Sequence, residues 1–275
     1  MMNESRARKL FEQEINHLDQ QINLAKAALY IAQEEEPDID PDEYLNKLDT
    51  MAAEVKERLP RQLYPLRIIQ TINRYLYEDL KFSGNTADYY DPRNSFLNHV
   101  IDCRTGIPIT LSLLYLEIAQ RIDFPMIGIG MPGHFLIRPD FEDVGIYVDA
   151  FNQGEILFPE DCKNRLSQIY GQPVELQPAF LAPVSRRQIL ARMLSNLKAI
   201  YLNQGDRIRA LAAIERILLL FPDAAGERRD RGILYYQFGR WQESRQDLEM
   251  YLTNIPHAED AAIVRQLLER MSRDI

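Results

Sequence analysis

Apolar positions recur at three- and four-residue spacing along most of this chain, which is the signature of amphipathic helices. Over residues 4–35 the series is Leu10, Ile15, Leu18, Ile22, Ala25 and Leu29, and it predicts one helix. The acidic run Glu34–Glu43 breaks it and reads as a solvated loop. Asp40 or Asp42 then caps a second helix, with Pro41 in its first turn and Leu45, Leu48, Met51, Val55 and Leu59 on its apolar face. Pro60 and Pro65 bracket a link to a third amphipathic segment, Leu66 to Leu80. A short helix is expected from Phe96 to about Asp102, capped by Asn94 or Ser95. Gly106 suits a left-handed position after it.

At Pro108 the pattern changes. From there to about Arg121 the residues are apolar on most sides, with Leu111, Leu113, Leu114, Leu116, Ile118 and Ala119. A helix without a polar face is buried, and proline is tolerated in its first turn. Met126–Ile129, Phe135–Ile137 and Ile146–Val148 are short, rich in β-branched or aromatic residues, and separated by Gly and Pro. They predict strands of a small antiparallel sheet. Pro159-Glu160-Asp161 opens a short helix carrying Cys162, and residues 171–183, with Pro173, Pro178 and Pro183, read as strand or linker.

The last third repeats with a period of 34 residues: Tyr201 matches Tyr235, Gly205 matches Gly239, Ala210 matches Ser244, Pro222 matches Pro256 and Ala224 matches Ala258. This is the period of tetratricopeptide (TPR) repeats. Residues 258–273 supply a capping helix with a polar outer face. The fold class expected is therefore α+β and mostly helical. Residues 1–60 are N-terminal helices, 61–184 form a domain with a central helix on a small antiparallel sheet, and 185–275 are TPR-like helical repeats.

Composition narrows the partners. The 275 residues carry a net charge of −9, which argues against a nucleic-acid-binding surface and against docking on anionic membranes. Two cysteines, Cys103 and Cys162, fit a reducing compartment. The first residues have no apolar leader region, so the expected location is the cytoplasm. His17, His99 and His257 are scattered without partners at ligand spacing, and the chain has no phosphate-binding glycine loop. No metal or cofactor is expected.

The chemistry that remains lies between Asp91 and Asn152. His134 is followed fifteen residues later by Asp149, after a buried helix, and that order is the skeleton of a Cys/His/Asp site. Such a site needs a thiol activated by an imidazole and an imidazole oriented by a carboxylate. Cys103 is the nearby thiol, but it precedes the Gly106-Ile107-Pro108 turn. Asn94, Asn98, Arg104 and Arg138 are polar residues around the same stretch, and the two arginines are candidates to bind a carboxylate.

The runs GIPITLSLLYLEIAQ, FPMIGIGMPGHFLI and YVDAF, with the C-terminal repeats, resemble the SirB family of transglutaminase-like proteins. The resemblance implies a papain/transglutaminase-like domain. Active transglutaminase-like enzymes carry a cysteine at the head of the central helix. Laid on this chain, that position is Pro108, while His134 and Asp149 fall at the histidine and aspartate. The resemblance thus implies a non-catalytic interaction or regulatory module, with a protein or peptide partner in the TPR groove and room for a small ligand in the old cleft. Its rival is a cysteine-dependent hydrolase or transamidase using Cys103, His134 and Asp149.

Overall fold

The computed structural model describes residues 5–141 and 145–273. Residues 1–4, 142–144 and 274–275 lie outside the described residues, and with them the outer ends of the first and last expected segments. The chain opens on α1 (Arg6–Ile15), α2 (Leu24–Glu35), α3 (Pro41–Glu57) and α4 (Pro65–Asn73). The single helix expected over residues 4–35 is therefore two. Between them Asp19–Gln21 form a 3₁₀ turn, and the Asn23 side chain accepts from the Lys26 N–H to start α2. Capping by Asn23 outweighs the continuous apolar spacing, and Leu18, expected on the buried face, is 73% exposed. The cap expected for α3 forms: the Asp40 carboxylate accepts from the Asp42 N–H, with Pro41 at the first position.

The segment expected as one helix to Leu80 leaves α-geometry after Asn73 and continues as a π-helical stretch, Arg74–Asp79. The wider turn buries Tyr75, Leu76 and Tyr77 together. A two-residue strand, β1 (Ser83–Gly84), pairs in parallel with β2 (Thr105–Gly106), which follows α5 (Leu97–Cys103). The left-handed residue closing α5 is Arg104, with φ of 57°, rather than Gly106. Glycine is needed at 106 for another reason. A Cβ there would stand 2.9 Å from the Thr110 hydroxyl and 3.1 Å from Val100, so the strand lies too close to the next helix for a side chain.

That helix, α6 (Pro108–Arg121), is the centre of the domain, and every residue from Pro108 to Ala119 is buried. Its one buried charge, Glu117, is satisfied by the Ala25 N–H at 3.2 Å and by an ion pair with Arg121. Beside it lies a five-stranded antiparallel sheet of β3 (Met126–Ile129), β4 (Leu136–Pro139), β5 (Tyr147–Asp149), β6 (Glu155–Leu157) and β7 (Pro183–Val184), in the order β6-β5-β4-β3-β7. Ile137 pairs with Val148. Antiparallel register therefore sets the start of β4, just after His134, beside the end of β5, at Asp149. Helix α7 (Pro159–Tyr170) packs Cys162 and Leu166 against Ile129, Met131, Leu136 and Leu157.

The chain divides into two compact units, residues 1–193 and 194–275. The division falls within α8 (Arg186–Gln204). The second unit continues through α9 (Arg207–Leu220), α10 (Ala225–Gln237), α11 (Trp241–Asn254) and α12 (Ala261–Arg273). Gly205 and Gly239 both take positive φ, 74° and 72°, at the turns of the two repeats. Tyr201 and Tyr235, matched one period apart, are both buried. Small residues hold α10 against α11: the Ser244 hydroxyl donates to the Gly232 carbonyl at 2.7 Å, and a Cβ on Gly232 would meet Leu248 at 2.8 Å.

Candidate functional site

The site is built at the end of the sheet that carries His134 and Asp149. The His134 Nε2 lies 2.8 Å from Asp149 Oδ2, and both side chains are buried. Asp149 is heavily served. Its Oδ1 accepts from the backbone N–H groups of Phe151 and Asn152 at 3.2 Å each. Its Oδ2 also accepts from the Asn152 side-chain amide at 2.8 Å, and the Arg165 guanidinium stands 3.7 Å away. Burial by itself would raise the Asp149 carboxyl. The His134 hydrogen bond and charge, the Asn152 amide and Arg165 outweigh it and hold the group below the usual carboxylate value.

Asp149 is thus a carboxylate, which only accepts. The His134 Nε2 must carry the proton and donate it. In the neutral ring Nδ1 is then the lone-pair nitrogen, and among the described residues Nδ1 has no hydrogen-bond partner. The ring meets Phe151 edge-on, with centroids 6.1 Å apart, and Phe151 meets Tyr89 in the same way at 6.1 Å. Phe151 also lies flat against β1, where a Cβ on Gly84 would come within 2.5 Å of its ring. An open cleft of about 300 Å³ begins there, lined by Ser83, Gly84, Thr86, Phe151, Asn152 and Gln153.

The turn after Asp149 is tied to the helices. The Tyr77 hydroxyl donates to the Ala150 carbonyl at 3.0 Å. The Asn73 amide donates to the Gly154 carbonyl at 2.7 Å, and its oxygen accepts from the Tyr115 hydroxyl of α6 at 3.0 Å. At the head of α6, Pro108 occupies the first helical position. Thr110 does the capping: its hydroxyl accepts from the Ile107 N–H at 3.2 Å and donates to the Asn94 carbonyl at 2.7 Å.

A family model described as the transglutaminase-like superfamily matches residues 42–195, and a tetratricopeptide repeat model matches residues 197–269. The chain belongs to the transglutaminase-like superfamily. Its relatives include a UPF0162 protein from Xylella fastidiosa, 37% identical over 264 residues that make 93% of this chain and 92% of the relative. A UPF0162 protein from Pseudomonas aeruginosa is 31% identical over 83% of each chain. F-box only protein 21 from Homo sapiens is 32% identical over 64% of this chain but only 29% of that longer protein. No solved structure matches this chain. The SirB-like assignment from the Gly106-Ile107-Pro108, His134 and Asp149 pattern thus extends over most of the molecule.

Within this transglutaminase-like framework the expected residues fall in different places. His134 and Asp149 come together. Cys103 is exposed at the last position of α5, and among the described residues no sulfur hydrogen bond joins either cysteine to His134. Cys162 is buried in the α7 core. Burial first, then Asp161 and Asp149, push its thiol up to about 12, so it is an inert packing group. Asn94 donates to the carbonyls of Asp88 and Tyr89 and accepts from Asn85, fastening that loop to α6. Asn98 faces Glu36 of the α2 terminus at 2.9 Å. Arg104 donates to the Leu80 carbonyl, and Arg138 to those of Pro139 and Phe141. Among the described residues neither arginine is paired with a carboxylate.

Asn152, Arg165 and Arg192 were missed. Asn152 had a partial signal, since an Asp tends to accept from the backbone N–H two residues on in an Asx-type turn, and the Asn152 amide adds to that turn. Arg165 and Arg192 had none, because they reach the site from α7 and α8. No helix among the described residues is long and apolar enough to cross a membrane.

Proposed function

We propose that this transglutaminase-like protein is a non-catalytic interaction or regulatory module of the cytoplasm, which binds a protein or peptide partner through its TPR half. The reading rests on one observation above the rest. Pro108 stands at the head of α6, where a transglutaminase-like enzyme needs its thiol, and a proline offers no nucleophile. The His134–Asp149 pair then has nothing to activate and serves to brace β4 against β5. F-box only protein 21, which contains a matching stretch as a minor part of a longer chain, is in keeping with a domain that serves inside larger assemblies.

On the TPR half an open groove of about 420 Å³ runs along α11 past Trp241, Arg245, Glu249 and Met250. Trp241 and Met250 are exposed, and aromatic and methionine side chains are enriched at binding surfaces. The second reading, a cysteine-dependent hydrolase or transamidase, draws on the 2.8 Å dyad, and it requires Cys103 to reach His134.

Capture of partners by the full-length protein separates the two. Trp241→Ala combined with Met250→Ala should remove the proteins that the wild type retains, at an unchanged melting temperature, and His134→Ala should leave them bound. Loss of the retained proteins with His134→Ala but not with the groove variant would count against the proposal.

A further inference from the structure

The geometry points to a carboxylate-binding subsite built on Arg192, beside the dyad. Arg192 lies on α8 within the first unit. Its Nη2 donates to the main-chain carbonyls of Met131 at 3.0 Å and His134 at 2.7 Å. Two acceptors on one nitrogen fix the guanidinium, which lies 5.6 Å from the centroid of the Phe135 ring. Those bonds use one nitrogen of three. Among the described residues Nε and Nη1 have no acceptor, and no Asp or Glu pairs with the group.

The chain has 41 acidic residues against 32 basic ones, and several partly buried arginines are neutralised, whereas Arg192, like Arg138, has only main-chain carbonyls for partners among the described residues. Arg165 faces Asp149 and Glu155, Arg121 faces Glu117 and Asp49, and Arg231 faces Asp247. Burial lowers the Arg192 pKa, and the phenol of Tyr89 alone opposes the shift. A cation that is desolvated, held rigidly and left without an anion is costly to the protein and ready for an anion from outside.

The surroundings select the kind of anion. The Tyr89 hydroxyl also has no hydrogen-bond partner among the described residues, and the Tyr89 ring meets Phe151, which meets His134. The subsite therefore offers a planar guanidinium edge over the Phe135 ring, with the Tyr89 phenol close enough to act on its charge. A guanidinium fork matches the two oxygens of a carboxylate. A phosphate dianion would call for a second cation, and the nearby Arg165 is already committed to Asp149 and Glu155. The ligand is a peptide carboxylate, from a C-terminus or an acidic side chain. This inference stands whether or not the dyad reacts, and it gives the first unit a binding role separate from the TPR surface.

The test uses the full-length protein, isotopically labelled, and follows the Arg192 Nε–H and His134 ring resonances. Three probes are titrated: an acetylated apolar tetrapeptide with a free C-terminal carboxylate, its C-terminal amide, and an amide carrying one internal glutamate. The free acid should shift both resonances and saturate. Loss of a charge-assisted hydrogen bond should make the amide bind roughly tenfold or more weakly, and Arg192→Lys should weaken the free acid to a similar degree. Recovery of binding with the internal glutamate would identify a side-chain carboxylate as a source, and no recovery would restrict the site to chain termini; both support the subsite. Acid and amide titrating alike on the wild type, or no Arg192 shift with either carboxylate, would overturn it, and neither result depends on how the variant folds.

Discussion

Asp149→Ala will lower the unfolding free energy by about 3–5 kcal/mol, the range for breaking a buried charged network at one member. The carboxylate is fully buried. It takes hydrogen bonds from His134, from two backbone N–H groups and from the Asn152 amide, and it faces Arg165. Its removal orphans the His134, backbone and Asn152 donors at once, while Arg165 keeps Glu155. His134→Ala should cost less, about 1–3 kcal/mol, because the other donors to Asp149 remain. The double variant should cost less than the sum of the two.

The same group sets a pH dependence. The folded Asp149 pKa lies below its ordinary value, so the unfolded chain takes up its proton first as pH falls. The stabilisation is whole above the unfolded value of about 3.9 and is lost as pH drops through the folded value. Denaturant melts between pH 7 and pH 2 should show the wild type and Asp149→Ala converging only at the acid end. Curves that run parallel throughout would mean that Asp149 carries no such charge-dependent stabilisation.

Gly128→Val should destabilise the protein by about 2–3 kcal/mol, as overpacking of a filled core does. Gly128 is buried in β3, between β4 and β7. A Cβ there would come within 2.7 Å of the Phe135 ring and 3.1 Å of Ile189. Phe135 follows His134 in the chain and lies under Arg192, so displacing it loosens both the dyad and the guanidinium. Equilibrium unfolding measures the loss, and a change under 0.5 kcal/mol, the usual range for an unconstrained surface position, would mean that the sheet absorbs the side chain freely.

Much of this architecture was legible in residue patterns. The buried helix from Pro108 is apolar all round, and the strands and 34-residue repeats carry their own periodicity. His134 and Asp149 were legible as candidates from their order after the buried helix and from the family resemblance, whereas their meeting depends on the register of β4 on β5, with Ile137 opposite Val148. Other features depend on competition that spacing does not encode. Apolar positions run evenly from Leu10 to Leu29, yet Asn23 caps a new helix and Leu18 is exposed. Arg104, not Gly106, takes the left-handed position, and Gly106 is required instead by close contact with Thr110 and Val100. The arginines show the clearest gap. Arg104 and Arg138, close to the motif in sequence, donate to backbone carbonyls, while Arg192, fifty-eight residues from His134, holds the histidine's own carbonyl.

Whether the His134–Asp149 dyad has a thiol to activate can be tested by thiol labelling without knowledge of a substrate. Full-length wild type and His134→Ala are treated with a chloroacetamide at neutral pH, and labelling of Cys103 is followed by peptide mass spectrometry. Cys103 should react at the rate of an ordinary exposed cysteine and equally fast in both proteins. Rapid labelling of Cys103 in the wild type that disappears in His134→Ala would contradict this expectation, because the imidazole would then be activating that sulfur.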